Sequence, residues 1–192
     1  MKLGIFGGTF SPPHLGHLVV VESVRDQLQL ARILFIPSAN PPNKRGESLA
    51  TARQRVAMTR LAIEGNSAFE VSDLEAERGG ISYTVETVSA LSEMYPKAGL
   101  HLILGADNLL EFETWKAPEE ILSKVDLVAM TRPGFDIANT RTKYAKRATF
   151  VKVPQISISG TEIRRRVKMG RSIRFLVPRS VEDYISRTGL YR

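Results

Sequence analysis

Two of the chain's three histidines stand three residues apart, in the stretch GIFGGTFSPPHLGH over residues 4–17. An apolar run (Leu3, Ile5, Phe6) stops at Gly7-Gly8, two prolines follow, and His14 and His17 lead into apolar residues at helical spacing. The pattern is a strand, a turn and a helix. A helix start presents unpaired N–H groups and a partial positive charge, which suits an anion. Glycines let a backbone approach a ligand or take φ > 0. His14 and His17 would lie about 60° apart around a helix, and imidazole N–H groups can bond phosphate oxygens. Two common phosphate cradles, GxxxxGK[ST] and GxGxxG, are absent. A zinc site is not expected, because there is no Cys and no third ligand is obvious. Taken alone, the pair reads more simply as one histidine capping the helix and the other packing inside.

A second stretch, QISISGTEIRRRV over residues 155–167, repeats the logic near the other end. A strand ends and Ser159-Gly160-Thr161 opens a helix, with Ser159 as N-cap and Glu162 at capping-box spacing. Arg164 sits one turn in, so two hydroxyls and a guanidinium could hold the far end of a polyphosphate. The alternative is a capped amphipathic helix. Asp107 follows the apolar run HLILGAD and is either a ligand for a ribose hydroxyl or a helix cap. Trp115, the only Trp, is either a stacking face or a core side chain.

The elements that must hold these residues alternate. Short apolar runs at Leu3–Phe6, Ile33–Pro37, Phe69–Ser72, Leu100–Leu104, Leu127–Met130 and Thr149–Val153 read as strands. Periodic stretches at His17–Leu28, Ala50–Ile63, Val85–Met94, Glu119–Lys124, Gly160–Met169 and Val181–Thr188 read as helices. Strands apolar throughout suit burial on both faces. The alternation predicts an α/β fold: a doubly wound, Rossmann-like parallel sheet in a single domain over 1–192, with a helical part from about 159. In such sheets ligands sit beyond the carboxyl ends of the strands, where strand order reverses. Ala39–Glu47, Ala76–Ile81 and Gly134–Thr142 read as loops.

Composition narrows the classes. No run of 18 apolar residues exists, so no membrane span or membrane partner is expected. Cys is absent and the N-terminus lacks the regions of a signal peptide, from which a cytoplasmic protein is expected. The net charge of +7 is uneven: residues 141–192 carry 14 Lys and Arg against three Asp and Glu. That points to polyanions or to solvated helix faces. A nucleic-acid partner is not expected, because RRRVKMGRSIR interleaves few aromatics. Oligomeric state is not legible.

The two stretches resemble the (H/T)xGH and ISxTxxR motifs of the nucleotidylyltransferase superfamily, as His14-Leu15-Gly16-His17 and Ile158-Ser159-Gly160-Thr161-Glu162-Ile163-Arg164. GGTFSPPHLGH, NPPNK (40–44), ISYTVETV (81–88), GADNLLEFETW (105–115) and TRPG (131–134) are together similar to the bacterial nicotinate-nucleotide adenylyltransferases. Three positions depart: Ser11 replaces the usual Asp, Asn43 the His of PPHK, and Gly160 a common Ser. The resemblance implies that ATP and nicotinate mononucleotide are joined to give deamido-NAD and pyrophosphate, with Mg²⁺ carried by ATP. It implies ATP contacts from Gly8, Thr9, Phe10, His14, His17, Gly105, Asp107, Ser159, Thr161 and Arg164, the catalytic donors being His14, His17 and Arg164. For the mononucleotide it implies Lys44, Tyr83, Thr84, Trp115 and Arg132. Rival activities on this fold are a nicotinamide-mononucleotide or a pantetheine-phosphate adenylyltransferase; a non-catalytic nucleic-acid binder is the rival of a different class.

Overall fold

The computed structural model describes residues 1–40, 50–131 and 142–192. Among them the chain runs β1 (Lys2–Gly8), α1 (Leu15–Leu28), β2 (Arg32–Pro37), α2 (Ala52–Ile63), β3 (Phe69–Val71), α3 (Leu74–Arg78) and α4 (Thr84–Met94). It continues with β4 (Gly99–Gly105), α5 (Ala106–Glu111), α6 (Pro118–Leu122), β5 (Asp126–Thr131), β6 (Ala148–Lys152), α7 (Gly160–Lys168) and α8 (Arg179–Thr188).

The strands form one six-stranded sheet in the order β3-β2-β1-β4-β5-β6, and every pairing is parallel. Alternate residues of each central strand point to opposite faces. Leu3, Ile5, Leu34, Ile36, Leu102, Leu104, Leu127 and Ala129 meet α4, α5 and α6 on one face. Phe6, Ile33, Phe35, Ile103 and Val128 meet Val21 and Val24 of α1 and Ile63 of α2 on the other. Burial on both faces explains why these strands are apolar without alternation. The edge strands β3 and β6 are mostly half-exposed and more polar. A third cluster packs Ile163 of α7 and Val181 and Ile185 of α8 against Met58 and Ala62 of α2. It brings the second motif over the end of the first.

Chain order reverses between β1 and β4: β2 and β3 extend one way from β1, β5 and β6 the other. The carboxyl ends of β1 and β4 therefore flank the crevice where such sheets bind ligands. The six expected strands all form, with ends shifted by up to a residue or two. Two short helices escaped the sequence reading. One, α3, takes residues 76–78 from the expected loop Ala76–Ile81, so the turn starts at Gly79 and Gly80, both at positive φ. The other, α5, continues directly from β4. Both are too short to show a period. Of the expected loops, residues 41–47 and 134–141 lie outside the described residues.

Candidate active site

The first motif turns at the carboxyl end of β1. The left-handed residue of this turn is Phe10, at φ 47°. A left-handed bulky residue is strained by about 1–3 kcal/mol, so something must hold it. The Phe10 ring is buried against Phe6 (centroids 5.6 Å apart), Phe35 (5.8 Å) and His17 (5.1 Å). Gly8 makes room for that ring: a Cβ there would stand 2.8 Å from it.

His14 lies outside the helix, in the capping place that the simpler reading of the pair gives to one of the histidines. It is the N-cap of α1, extended at φ −144° and ψ 166°. Its ring stacks on that of His17, with centroids 3.6 Å apart. The two imidazoles therefore form one block rather than diverging around a cylinder. Gly16 permits this, since a Cβ there would lie 3.0 Å from His14 Nδ1. The His14 backbone N–H donates to His17 Nδ1 at 3.2 Å. A neutral imidazole that accepts at Nδ1 carries its proton on Nε2, so His17 presents an Nε2–H donor. His14 is only 6% exposed, and burial lowers its pKa to about 4. It is a neutral imidazole near pH 7, and its buried Nδ1 has no hydrogen-bond partner.

The second motif arrives as expected at the helix start. Ser159 caps α7, accepting from the Glu162 N–H at 3.2 Å. The reciprocal half of the expected capping box is missing. The Glu162 carboxylate pairs with Arg165 (2.8 Å) and Arg166 (3.0 Å) of its own helix. Those pairs, with Arg179 on Asp183 in α8 at 3.1 Å, partly neutralise the basic C-terminal quarter within its own helices. Arg164 instead points back to the first motif. Its Nη1 donates to the Ser11 carbonyl at 2.9 Å, across 153 positions, and its Nη2 to Thr161 Oγ1 at 3.3 Å. Gly160 allows the approach, because a Cβ there would meet the Ser11 carbonyl oxygen at 3.1 Å.

The result is a cleft of about 110 Å³ lined by Thr9, Phe10, Ser11, Pro12, His14, His17, Gly160 and Arg164. It is walled by N–H donors, a guanidinium and the starts of two helices, a chemistry that fits anionic oxygens. Among the described residues no three His, Asp or Glu side chains cluster as metal ligands.

Sequence reading missed Arg55. This fully buried arginine donates from Nε to the Ala50 carbonyl (3.0 Å), from Nη1 to Thr9 (2.9 Å) and from Nη2 to Ala39 (2.7 Å). It ties the cleft's turn to the end of β2 and the approach to α2. Burial lowers its pKa from the ordinary value. The available signal was its place on the buried face of α2, four residues before Thr59 and seven before Ala62.

The remaining candidates lie around the crevice. Gly105 is the N-cap residue of α5, and Asp107 is exposed in that helix's first turn. Asp107 is therefore not the N-cap residue of that helix. Tyr83 is the N-cap residue of α4 and Thr84 its first residue, so their amides lie at a helix start. The end of β2 fixes this segment: the Ala39 N–H donates to Ser82 Oγ at 2.8 Å and the Ser82 N–H to the Asn40 carbonyl at 3.3 Å. Trp115 is half-buried, its ring 5.2 Å from that of Phe112. It packs on the same core cluster as Tyr83. Lys116, also missed, lies over Tyr83, with Nζ 4.2 Å above the Tyr83 ring and 2.8 Å from Glu86. Lys44 and Arg132 lie outside the described residues.

Comparison with known proteins agrees with this geometry. Residues 5–166 match the cytidylyltransferase-like family model. The chain is 45% identical to a Salinibacter ruber protein named "Probable nicotinate-nucleotide adenylyltransferase", covering all of this chain and 98% of that one. A Desulfitobacterium hafniense protein of the same name is 43% identical, over all of this chain and 96% of its own length. The fold superposes with a TM-score of 0.81 on Plasmodium falciparum nicotinic acid mononucleotide adenylyltransferase complexed with NaAD, at 20% identity, covering 99% of this chain and 97% of that one. A cytidylyltransferase-like match over most of the chain, and relatives this similar over its full length, place it in the nicotinate-nucleotide adenylyltransferase family.

Proposed function

We propose that the protein transfers the adenylyl group of ATP to the 5′-phosphate of nicotinate mononucleotide, giving nicotinate adenine dinucleotide and pyrophosphate. One observation carries the reading: His14, His17 and Arg164 line one small cleft at the carboxyl end of β1, at the switch point of the sheet. The names of the full-length relatives choose the acceptor.

In this reading a phosphate oxygen of the mononucleotide forms a bond to the α-phosphorus. The bond from that phosphorus to the bridging oxygen breaks, and its electron pair leaves on pyrophosphate. The attacking oxygen is already ionised at pH 7, so no proton need be removed. Catalysis reduces to positioning and to stabilising negative charge. His17 donates from Nε2 to the α-phosphate. Neutral His14 supports it, with its ring stacked on that of His17. The backbone of Gly8, Thr9 and Phe10 and the start of α1 face the phosphates. Ser159, Thr161 and Arg164 hold the β and γ end. Gly105 and Asp107 take the ribose, and Asp107 is exposed for that role.

On the other side, the amides of Tyr83 and Thr84 receive the nicotinate carboxylate and Trp115 stacks on the pyridine. Lys44 and Arg132 are proposed to help hold phosphate and mononucleotide. An amide NH₂ would meet those backbone donors with donors of its own, which favours the acid. Mg²⁺ travels on the triphosphate and neutralises part of its charge.

Pyrophosphate release with ATP and Mg²⁺ tests the reading, with nicotinate mononucleotide, nicotinamide mononucleotide and phosphopantetheine compared side by side. Release with the nicotinate compound alone supports it. Release with the amide overturns the carboxylate pocket and keeps the cradle. Release with none of them from folded protein overturns the activity.

A further inference from the structure

Ser11 is only 4% exposed and is used from two sides. Its carbonyl accepts from Arg164 Nη1 at 2.9 Å. Its hydroxyl oxygen accepts from the Ala50 N–H at 3.2 Å and lies 2.9 Å from the Tyr191 hydroxyl, 180 positions away. The serine therefore joins the seat of Arg164 to a residue beyond α8. The route to that contact is built. Val181 and Ile185 fix α8 in the third cluster, where Leu190 and Tyr191 also pack. The chain then turns through two left-handed residues, Gly189 and Tyr191, both at φ 67°. For a tyrosine that conformation is unfavourable, so packing and the hydroxyl contact must hold it. Burial raises the Tyr191 pKa from its ordinary value, which keeps the hydroxyl protonated and able to bond across the neutral range.

We propose that Tyr191 is a positioning residue of the cleft: through Ser11 it holds the carbonyl on which Arg164 is seated. A cradle that works by placement loses rate when a donor shifts by a fraction of an ångström. Tyr191 touches no reacting atom. Its effect should fall on the nucleotide that Arg164 serves and spare the mononucleotide side, where Tyr83 and Trp115 lie.

The kinetic arm rests on the proposed adenylyl transfer, and a second arm does not. Tyr191→Phe keeps the ring and removes the hydroxyl; Ser11→Ala removes its partner. Thr188→Ala sets the baseline, since that hydroxyl bonds only the Tyr184 carbonyl of its own helix, at 2.8 Å. Each of the first two variants is expected to lower kcat/KM for ATP about tenfold, the scale of one lost hydrogen bond. KM for nicotinate mononucleotide stays within about twofold, and the double variant is no worse than the poorer single. In the protein without substrates, Tyr191→Phe is expected to speed amide exchange at Ala50 and shift the Arg164 guanidinium resonance. Those two signals support the link even if the wild type releases no pyrophosphate. Exchange and resonance matching the Thr188→Ala baseline, or losses that add in the double variant, overturn it.

Discussion

His14 predicts a pH dependence of stability that its stacked, buried position sets. In the folded protein its pKa is lowered to about 4, against an ordinary 6.5, because burial disfavours the charged ring. The fold thus prefers the neutral form. The stabilisation is fully present above pH 6.5 and is lost as pH falls toward 4, because the unfolded chain takes up a proton that the folded one refuses. Each unit of difference is worth about 1.4 kcal/mol, which gives losses of about 2 kcal/mol at pH 5 and about 3 kcal/mol at pH 4. Carboxylates and His101, whose pKa burial also lowers, add their own acid dependence. The comparison with His14→Gln removes them, since glutamine does not titrate and the other groups are common to both proteins. Urea unfolding of both proteins at pH 8, 5 and 4 is the assay. The wild type should lose about 2 kcal/mol more than the variant by pH 5. Parallel losses would refute the claim that His14 is held neutral. Saturating ATP should shrink the gap, because a nearby anion favours the protonated ring.

Two further predictions concern supporting residues. Gly16→Ala should cost about 1–3 kcal/mol of stability by overpacking, because its Cβ would stand 3.0 Å from the buried His14 ring, and should lower turnover by about tenfold or more as the ring is displaced; a variant with full activity counts against the stacked pair. Arg55→Met should destabilise the fold by about 3 kcal/mol in urea, because the Thr9, Ala39 and Ala50 carbonyls lose their donor; a loss below about 1 kcal/mol would mean they find other partners.

Much of the fold was legible because burial on both faces leaves a direct trace in sequence. Leu3-to-Phe6 and Ile33-to-Pro37 are apolar without alternation, and they became β1 and β2. The capping serine of α7 was legible because its bond spans three residues. The stacking of His14 on His17 was not, since it depends on the backbone of the capping residue and on Gly16 leaving room for the ring, neither of which spacing encodes. Nor was the positive φ at Phe10, which depends on a cage from β1, β2 and α1 that no local pattern encodes. Arg55, Ser11 and Tyr191 escaped for the same reason. Most of their partners are distant, from 16 positions for Arg55 and Ala39 to 180 for Ser11 and Tyr191, and the departure at Ser11 does not by itself name a partner.

The central claim is that His17 Nε2–H stabilises charge on the transferred phosphate. Asparagine at this position reproduces the acceptor that holds the His14 N–H but lacks the distal donor; glutamine reaches the place of Nε2 with an N–H. The decisive measurement is kcat for pyrophosphate release with ATP, Mg²⁺ and nicotinate mononucleotide in the wild type, His17→Asn and His17→Gln, alongside their melting temperatures. The account predicts a loss of about 10²–10³ in kcat for asparagine, a smaller loss for glutamine, and melting temperatures close to wild type. Asparagine turning over as fast as histidine, in a folded protein, would contradict it.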